Sequence, residues 1–381
     1  MDRQEFIKAK RIVVKIGTNV LRNDEGYVSL PRVYSFIEDM ASLVRSGKEV
    51  ILITSGAVGL GKKRLNLQDT QGTALKQACA AIGQGKLMSL YENGFETYGL
   101  VAAQILLTED DFSVRERYLS LRTTLNKLLE LGAVPVINQN DTVSTRDVSL
   151  KDGIEDMQVC FSDNDKLSAL VASELDADLL IILSDIAGLY SDNPKTNKDA
   201  YLIKCVEKVD DEILALASGV SNGGRGGMET KLKAARQVTR FGGKVLIACG
   251  KEPYIIRRIF EGEDLGTMFL PENRSMSDKR RWIGYATNII GKIVVNDGAK
   301  TALLTEKSLL PIGVIDVINT FQKGDVISIL DENKNEFARG IVNYDSNACK
   351  KVIGYHSDNI AEILGFKNYD AIITRDNITL L

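Results

Sequence analysis

The sequence predicts an α/β protein: a mostly parallel open sheet sandwiched by helices, followed by a small β-rich domain. Three observations carry that reading. Short apolar, β-branched runs alternate with helical periodicity from Arg11 to Ala248, the pattern of βα units in a parallel sheet. Several of those runs end in Gly, Ser, Asn or Asp, and open α/β sheets bind ligands at the carboxyl ends of their strands. Beyond Leu270 the alternation gives way to short strand-like runs split by Gly and Asp/Asn turns. The expected division is an α/β domain over residues 1–270, a linker over 271–284 and a β-rich domain over 285–381, each of ordinary domain size.

The organising stretch is Arg11 to Leu21. Ile12, Val13, Val14 and Ile16 read as a buried strand, yet Lys15 sits inside it and Gly17-Thr18-Asn19 follow at once. Lysine is almost never fully buried unless paired. Either an anion meets Lys15 at the strand's carboxyl edge, or the side chain snorkels to water. Val33, Phe36, Ile37, Met40, Leu43 and Val44 then recur at helical spacing, with Ser29 as N-cap, Pro31 in the first turn and Gly47 as the stop. The next strand, Val50 to Thr54, runs into a glycine loop from Ser55 to Gly61. A helix over Ala74–Tyr91, a strand over Leu100–Leu107, a helix over Arg115–Leu131 and a strand over Ala133–Ile137 come next. That last strand ends in Asn138-Gln139-Asn140-Asp141, and the polar residues 142–162 form an excursion or lid. Asp163-Asn164-Asp165 caps a helix of Leu167, Leu170, Val171 and Leu175. Leu179 to Leu183 is a strand ending in Ser184-Asp185, and Gly188 to Pro194 is turn chemistry. A glycine-rich loop before Lys231 opens a helix of Leu232, Ala235, Val238 and Phe241, and Lys244 to Ala248 is the last strand of this domain. After Pro271 to Ser275, runs at 292–295, 313–317, 325–329 and 338–342 supply the strands of the second domain.

Composition narrows the function. A net charge of −3 argues against a general nucleic-acid or membrane-surface binder. Residues 282–381 carry ten basic and twelve acidic side chains, without the basic footprint of a nucleic-acid module. The Lys279-Arg280-Arg281 cluster reads as a solvated linker. Five scattered cysteines without a CxxC pair read as reduced thiols of a cytoplasmic protein. The start, MDRQEF, has no apolar signal segment, and no apolar run approaches the ~20 residues that span a bilayer. The one histidine, His356, excludes a multi-His metal site or a Ser/His/Asp triad in the residues before it and receives no role.

The loops at the strand ends fit phosphate chemistry. Glycine loops that open helices offer backbone N–H groups to anions, and Lys15 and Lys231 add positive charge. Asp141, Asp163, Asp165 and Asp185 suit either Mg²⁺, directly or through water, or orientation of the lysines. No G-x-G-x-x-G follows a strand, so a dinucleotide site lacks its main support. Gly56-x-x-x-x-Gly61-Lys62-Lys63 approaches a P-loop, but Lys63 stands where Ser or Thr must hold Mg²⁺. That loop reads as a backbone cradle for substrate or phosphate, or as a plain glycine turn. The loop at 223–231 is the stronger candidate, because glycines, a lysine and a helix start coincide there.

Six ordered motifs, VVKIGTNVL, ITSGAVGLG, VPVINQNDTV, FSDNDKLSALVA, LSDIAGLY and GGRGGMETKLKAA, together resemble the glutamate 5-kinase family of the amino-acid kinase superfamily. The tail from about residue 285 resembles the PUA domain found in many members. The resemblance implies ATP and Mg²⁺ as cofactors and phosphorylation of the γ-carboxylate of L-glutamate, the first step of proline biosynthesis. It implies Lys15 as an ATP-phosphate lysine, Ser55, Asp141 and Asn164 as glutamate-binding positions, and Ser184 with Asp185 at the nucleotide. It further implies that Arg225, Gly226, Gly227, Met228, Glu229, Thr230 and Lys231 form the ATP loop, Lys231 being a second phosphate lysine, and that Asp165 organises the lysines. Two departures stand out: Gln139 where the family often has Glu, and Arg225 where it often has Thr. The resemblance also implies a homo-oligomer (dimer or tetramer), proline as feedback inhibitor with residues 142–162 as the sensitive segment, and hand-off to glutamyl phosphate reductase. Acetylglutamate kinase, aspartokinase and uridylate kinase types are the alternatives within the superfamily. A non-catalytic amino-acid sensor with an RNA-binding tail is the alternative outside it, and the paired lysines and glycine loops weigh against that reading.

Overall fold

The structure is a computed structural model that describes residues 3–67, 72–108, 110–143, 164–194, 196–217, 227–272, 278–285, 289 and 291–381. The chain forms two compact units, residues 1–111 with 115–275 and residues 112–114 with 276–381.

The first unit opens with β1 (Arg11–Ile16), α1 (Thr18–Leu21) and α2 (Leu30–Arg45). Then come β2 (Glu49–Ile53), α3 (Ala57–Arg64), α4 (Thr73–Glu96), β3 (Ala102–Leu107), the short α5 (Asp110–Ser113), whose last two residues are counted with the second unit, α6 (Arg115–Glu130) and β4 (Val134–Gln139). The second half holds α7 (Asn164–Glu174), β5 (Leu179–Ser184), β6 (Cys205–Val206), α8 (Asp211–Ala215), α9 (Met228–Arg240), β7 (Lys244–Cys249), α10 (Ile255–Phe260) and β8 (Thr267–Phe269). The sheet runs β3-β4-β2-β1-β5-β7-β8-β6, with β1 near its centre. β1 pairs in parallel with β2 and β5, so Lys15 lies between Ile53 and Ile182.

Alternation along β1 sorts its side chains. Ile12, Val14 and Ile16 join the core with Phe36 and Met40 of α2 and Leu87 and Tyr91 of α4. Each such side chain contributes roughly 1.5–3 kcal/mol of burial. Lys15 therefore points to the opposite face, the one on which α7 and α9 pack. α2 ends as expected: Gly47 takes a left-handed φ of 84°, the Gly47 N–H donates to Val44 O and the Lys48 N–H donates to Leu43 O. These two bonds form a Schellman closure. Ser29 stands at the N-cap position without a capping side-chain bond.

Two expectations are corrected. The stretch from Ala57 is not a loop but helix α3, and only Gly56 is a true turn residue, at φ 102°. α3 needs glycine because α4 crosses it backbone to backbone: a Cβ on Gly61 would lie 1.9 Å from the Cys79 carbonyl oxygen, and one on Gly83 would lie 1.8 Å from the Ala57 carbonyl oxygen. β7 is not the last strand of the unit. β8 pairs antiparallel with it and β6 follows, parallel to β8.

The second unit holds α11 (Asp278–Tyr285), β9 (Gly291–Val295), α12 (Asp297–Leu304), β10 (Val314–Ile318), β11 (Val326–Leu330), β12 (Glu336–Ile341), α13 (Ser346–Val352), α14 (Ile360–Leu364) and β13 (Ile378–Leu380). Its sheet runs β10-β9-β11-β12-β13, antiparallel except for β9 with β11. Ile293, Phe321, Ile327, Ile329 and Ile373 centre its own core. The short helices α12 to α14, and strand β13, had no counterpart in the expected strand pattern.

Candidate active site

Lys15 is only 3% exposed and does not snorkel. Its ammonium meets Asp165 Oδ1 at 2.5 Å, while Lys231 Nζ meets Asp165 Oδ2 at 3.1 Å. Asp165 is fully buried in the first turn of α7, and Lys231, 5% exposed, lies in the first turns of α9. The Thr230 hydroxyl donates to Asp165 Oδ2 at 2.9 Å. Burial alone pushes the Asp165 carboxyl up, but the ammoniums of Lys15 and Lys231, with the hydrogen bonds from Lys15 and Thr230, hold it well below the usual carboxylate range. These three side chains sum to one excess positive charge at the carboxyl edge of β1, where the helices α7 and α9 both begin. Such a place suits an anion twice over, through charge and through the positive ends of two helices.

A cleft opens beside this cluster, lined by Lys15, Gly17, Asn19, Ser55, Asp185 and Lys231. The Gly17 N–H donates to Leu183 O at 3.1 Å, tying the turn after β1 to the end of β5. Asn19 Nδ2 donates to Asp185 Oδ2 at 3.1 Å, and Ser184 Oγ donates to Asp185 Oδ1 at 3.2 Å. Partial burial raises the Asp185 carboxyl, and the Asn19 and Ser184 bonds with the Lys231 charge outweigh it, so the group sits below its ordinary value. Gly227 caps α9, and Met228, Glu229 and Thr230 form its first turn. The Glu229 carboxylate turns outward to Lys233 at 2.6 Å. Arg225, Gly226, Asp163 and the lid segment from residue 144 to 162 lie outside the described residues.

On the other side of the cleft, amides form a chain. Asn164 Nδ2 lies within hydrogen-bond distance of Thr54 O (2.7 Å), Ser55 Oγ (2.9 Å) and Asn138 Oδ1 (3.0 Å). Asn138 Nδ2 in turn donates to Gln84 Oε1 at 2.9 Å. Among the described residues, Asn164 Oδ1 and Gln84 Nε2 are buried without a hydrogen-bond partner, a costly state that a polar ligand would relieve. Asp141 lies just past β4 and is half-buried. The fold thus gathers Lys15, Ser55, Asn164, Asp165, Ser184, Asp185 and Lys231 at one sheet edge. Sequence reasoning gave no role to Asn19, Gln84 or Asn138. Asn19 and Asn138 were visible as polar residues at strand ends, whereas Gln84 carries no local signal.

The chain matches the model of the amino acid kinase family over residues 10–249 and that of the PUA domain over residues 291–364. It is 44% identical over 382 aligned residues to a protein from Moorella thermoacetica named Glutamate 5-kinase, covering 100% of this chain and 98% of that one. A protein of the same name from Caldanaerobacter subterraneus subsp. tengcongensis is 42% identical, covering 97% of this chain and 98% of its own. Among solved structures, a carbamate kinase from Giardia lamblia bound to AMP-PNP aligns with a TM-score of 0.48 at 15% identity, covering 70% of this chain and 100% of its own.

Proposed function

This chain belongs to the amino acid kinase family, among the glutamate 5-kinases, and from that membership we propose how its residues divide the transfer of the ATP γ-phosphoryl group to the γ-carboxylate of L-glutamate. The reaction is the first step of proline biosynthesis. The observation that supports the division is the convergence of Lys15 and Lys231 on the buried carboxylate of Asp165.

The γ-carboxylate of glutamate has an ordinary pKa near ~4.3 and is ionised at neutral pH. It attacks without a general base, which suits a described site that holds no histidine. One carboxylate oxygen forms a bond to the γ-phosphorus, the bond from that phosphorus to the β–γ bridging oxygen breaks, and ADP leaves with the electron pair. The difficulty is electrostatic, because an anion must approach a polyanion. Phosphoryl transfer is mainly positioning and charge stabilisation. In this reading Lys15 and Lys231 flank the transferring group and Asp165 fixes both ammoniums by accepting from each. Both Asp165 oxygens are engaged by the ammoniums, which hold the carboxyl below its usual range. Gly227 to Lys231 offer helix-start N–H groups to the phosphates, with Arg225 and Gly226 belonging to the same loop. Ser184 and Asp185 border the nucleotide, and Ser55, Asp141 and Asn164 hold the amino acid.

Mg²⁺ would arrive on the nucleotide and neutralise phosphate charge. Among the described residues no three His, Cys, Asp or Glu side chains gather to cage a metal. Mg²⁺ keeps several waters and binds through few carboxylates plus phosphates. The product is an acyl phosphate that water destroys, so a reductase that consumes it promptly, glutamyl phosphate reductase, is the fitting partner. Proline is proposed as feedback inhibitor, a homo-oligomer as the working form and the cytoplasm as its place. No described helix is long and apolar enough to cross a membrane. The test is glutamate-dependent ADP release with hydroxylamine trapping. An acyl phosphate gives a hydroxamate, and ADP release without hydroxamate would refute the reading.

A further inference from the structure

A second pocket adjoins the cleft and shares Thr18 and Ser55 with it. Leu21, Leu60 and Leu87 form its apolar wall, and Arg22 and Lys63 stand on its lining. We propose that Arg22, seated on α3 at Gly59 and flanked by Lys63, receives the α-carboxylate of the amino-acid acceptor. The proposal rests on the reading of the preceding section and names the group that distinguishes the two ends of the substrate.

The seat of Arg22 is built. Residues 22–28 form a tight hairpin in which Arg22 bridges Val28, the Asn23 N–H donates to Tyr27 O, and Asn23 Oδ1 accepts from the Tyr27 N–H. Arg32 Nη1 donates to the carbonyls of Val20 and Arg22 at 2.7 and 3.0 Å and fixes the base of the hairpin. The Arg22 guanidinium then lies so close to α3 that a Cβ on residue 59 would fall 1.5 Å from Nη2. Glycine at 59 is what leaves room for it. Lys63, one turn further along α3, places its ammonium 4.0 Å from the centre of the Tyr27 ring. Residues four apart share a helix face, so both cations border one pocket.

Among the described residues, neither cation is paired with a carboxylate. Asp24 and Glu25 lie in the same hairpin, yet no carboxylate among the described residues lies within ion-pair distance of Arg22 or Lys63. Arg22 is half-buried, so its charge is less screened than that of a surface side chain. The substrate has two carboxylates. One must reach the lysine pair to react, and the other is served best by a cation outside the phosphate cleft, with a short apolar wall between for the methylenes. Arginine suits that role because its planar fork matches a carboxylate.

The experiment compares the full-length wild type with Arg22→Gln and Gly59→Ala, whose new methyl displaces the guanidinium. L-glutamate is the acceptor, and 4-aminobutyrate, which lacks the α-carboxylate, is a competitor. Loss of a charged hydrogen bond predicts a rise of about tenfold or more in KM for glutamate in Arg22→Gln, and Gly59→Ala moves it in the same direction. The KM for ATP, the kcat and the inhibition constant of 4-aminobutyrate stay within about twofold in Arg22→Gln, because the competitor never used Arg22. An unchanged KM for glutamate in both variants overturns the proposal. So does an equal weakening of 4-aminobutyrate, which marks a general distortion of the pocket. A wild type that does not phosphorylate glutamate refutes the parent reading, and this proposal with it.

Discussion

Replacing Asp165 with asparagine tests the centre of the site. The carboxylate is fully buried and sits 2.5 Å from Lys15 Nζ and 3.1 Å from Lys231 Nζ. Asparagine keeps the shape but removes the charge, leaving two ammoniums close together in a buried place. Removing one partner of a buried ion pair costs about 3–5 kcal/mol, and at roughly 2–4 °C per kcal/mol for a domain of this size the melting midpoint falls by about 6–20 °C. The linkage has a definite sign. Asp165 is held below its ordinary value of 3.8 by the two lysines against burial, so its contribution to stability is full above that value and is lost as pH falls through the depressed one. The wild type therefore loses this contribution only in strong acid, and the variant lacks that limb. Catalysis suffers separately, because the lysines lose their common anchor; misaimed donors lower kcat by about 10²–10³. The site's added positive charge leaves the KM for ATP unchanged or lower. Urea unfolding and coupled ADP release measure both effects. A variant with kcat within threefold of wild type would refute the claim that Asp165 aims the lysines.

Lys15→Ala and Lys231→Ala each lower kcat by roughly 10²–10³ while the KM for glutamate stays within about threefold, read by the same assay; a raised KM with intact kcat contradicts the assigned roles. Gln84→Leu breaks the amide chain through Asn138 to Asn164 and raises the KM for glutamate by about tenfold, as loss of a buried polar partner does, while the KM for ATP holds. Gly83→Ala places a methyl against the Ala57 carbonyl; overpacking costs about 1–3 kcal/mol, seen in urea unfolding, and displaces the Ser55 turn enough to weaken glutamate binding.

Much of this site was legible because charge in the wrong place is conspicuous. Lys15 within an apolar strand left two readings, an anionic partner or snorkelling to water, and the structure sets it on the α7 face against Asp165. The parallel sheet was equally plain from repeated βα runs. What failed had physical reasons. α3 was read as a loop because its glycines weaken helix propensity, and only the crossing with α4 explains them. β6 and β8 span two and three residues, too few for periodicity to register. α12 to α14 are also short, and their apolar residues answer to the second unit's core rather than to a long stripe. Gln84 was invisible because a polar residue on a helix looks solvated until a tertiary neighbour is known.

The interlocking of α3 and α4 through Gly61 and Gly83 carries a lesson about how acceptor preference can drift. Both positions are closed to any larger side chain, so the wall they build cannot be reshaped by substitution at either one. A change of acceptor preference would then be sought in the facing ribbon at residues 22–28, which is held by its own hairpin bonds rather than by the helix crossing. The arginine on that ribbon and the glycine opposite it are sterically matched, since a Cβ at residue 59 would occupy the place of the Arg22 guanidinium.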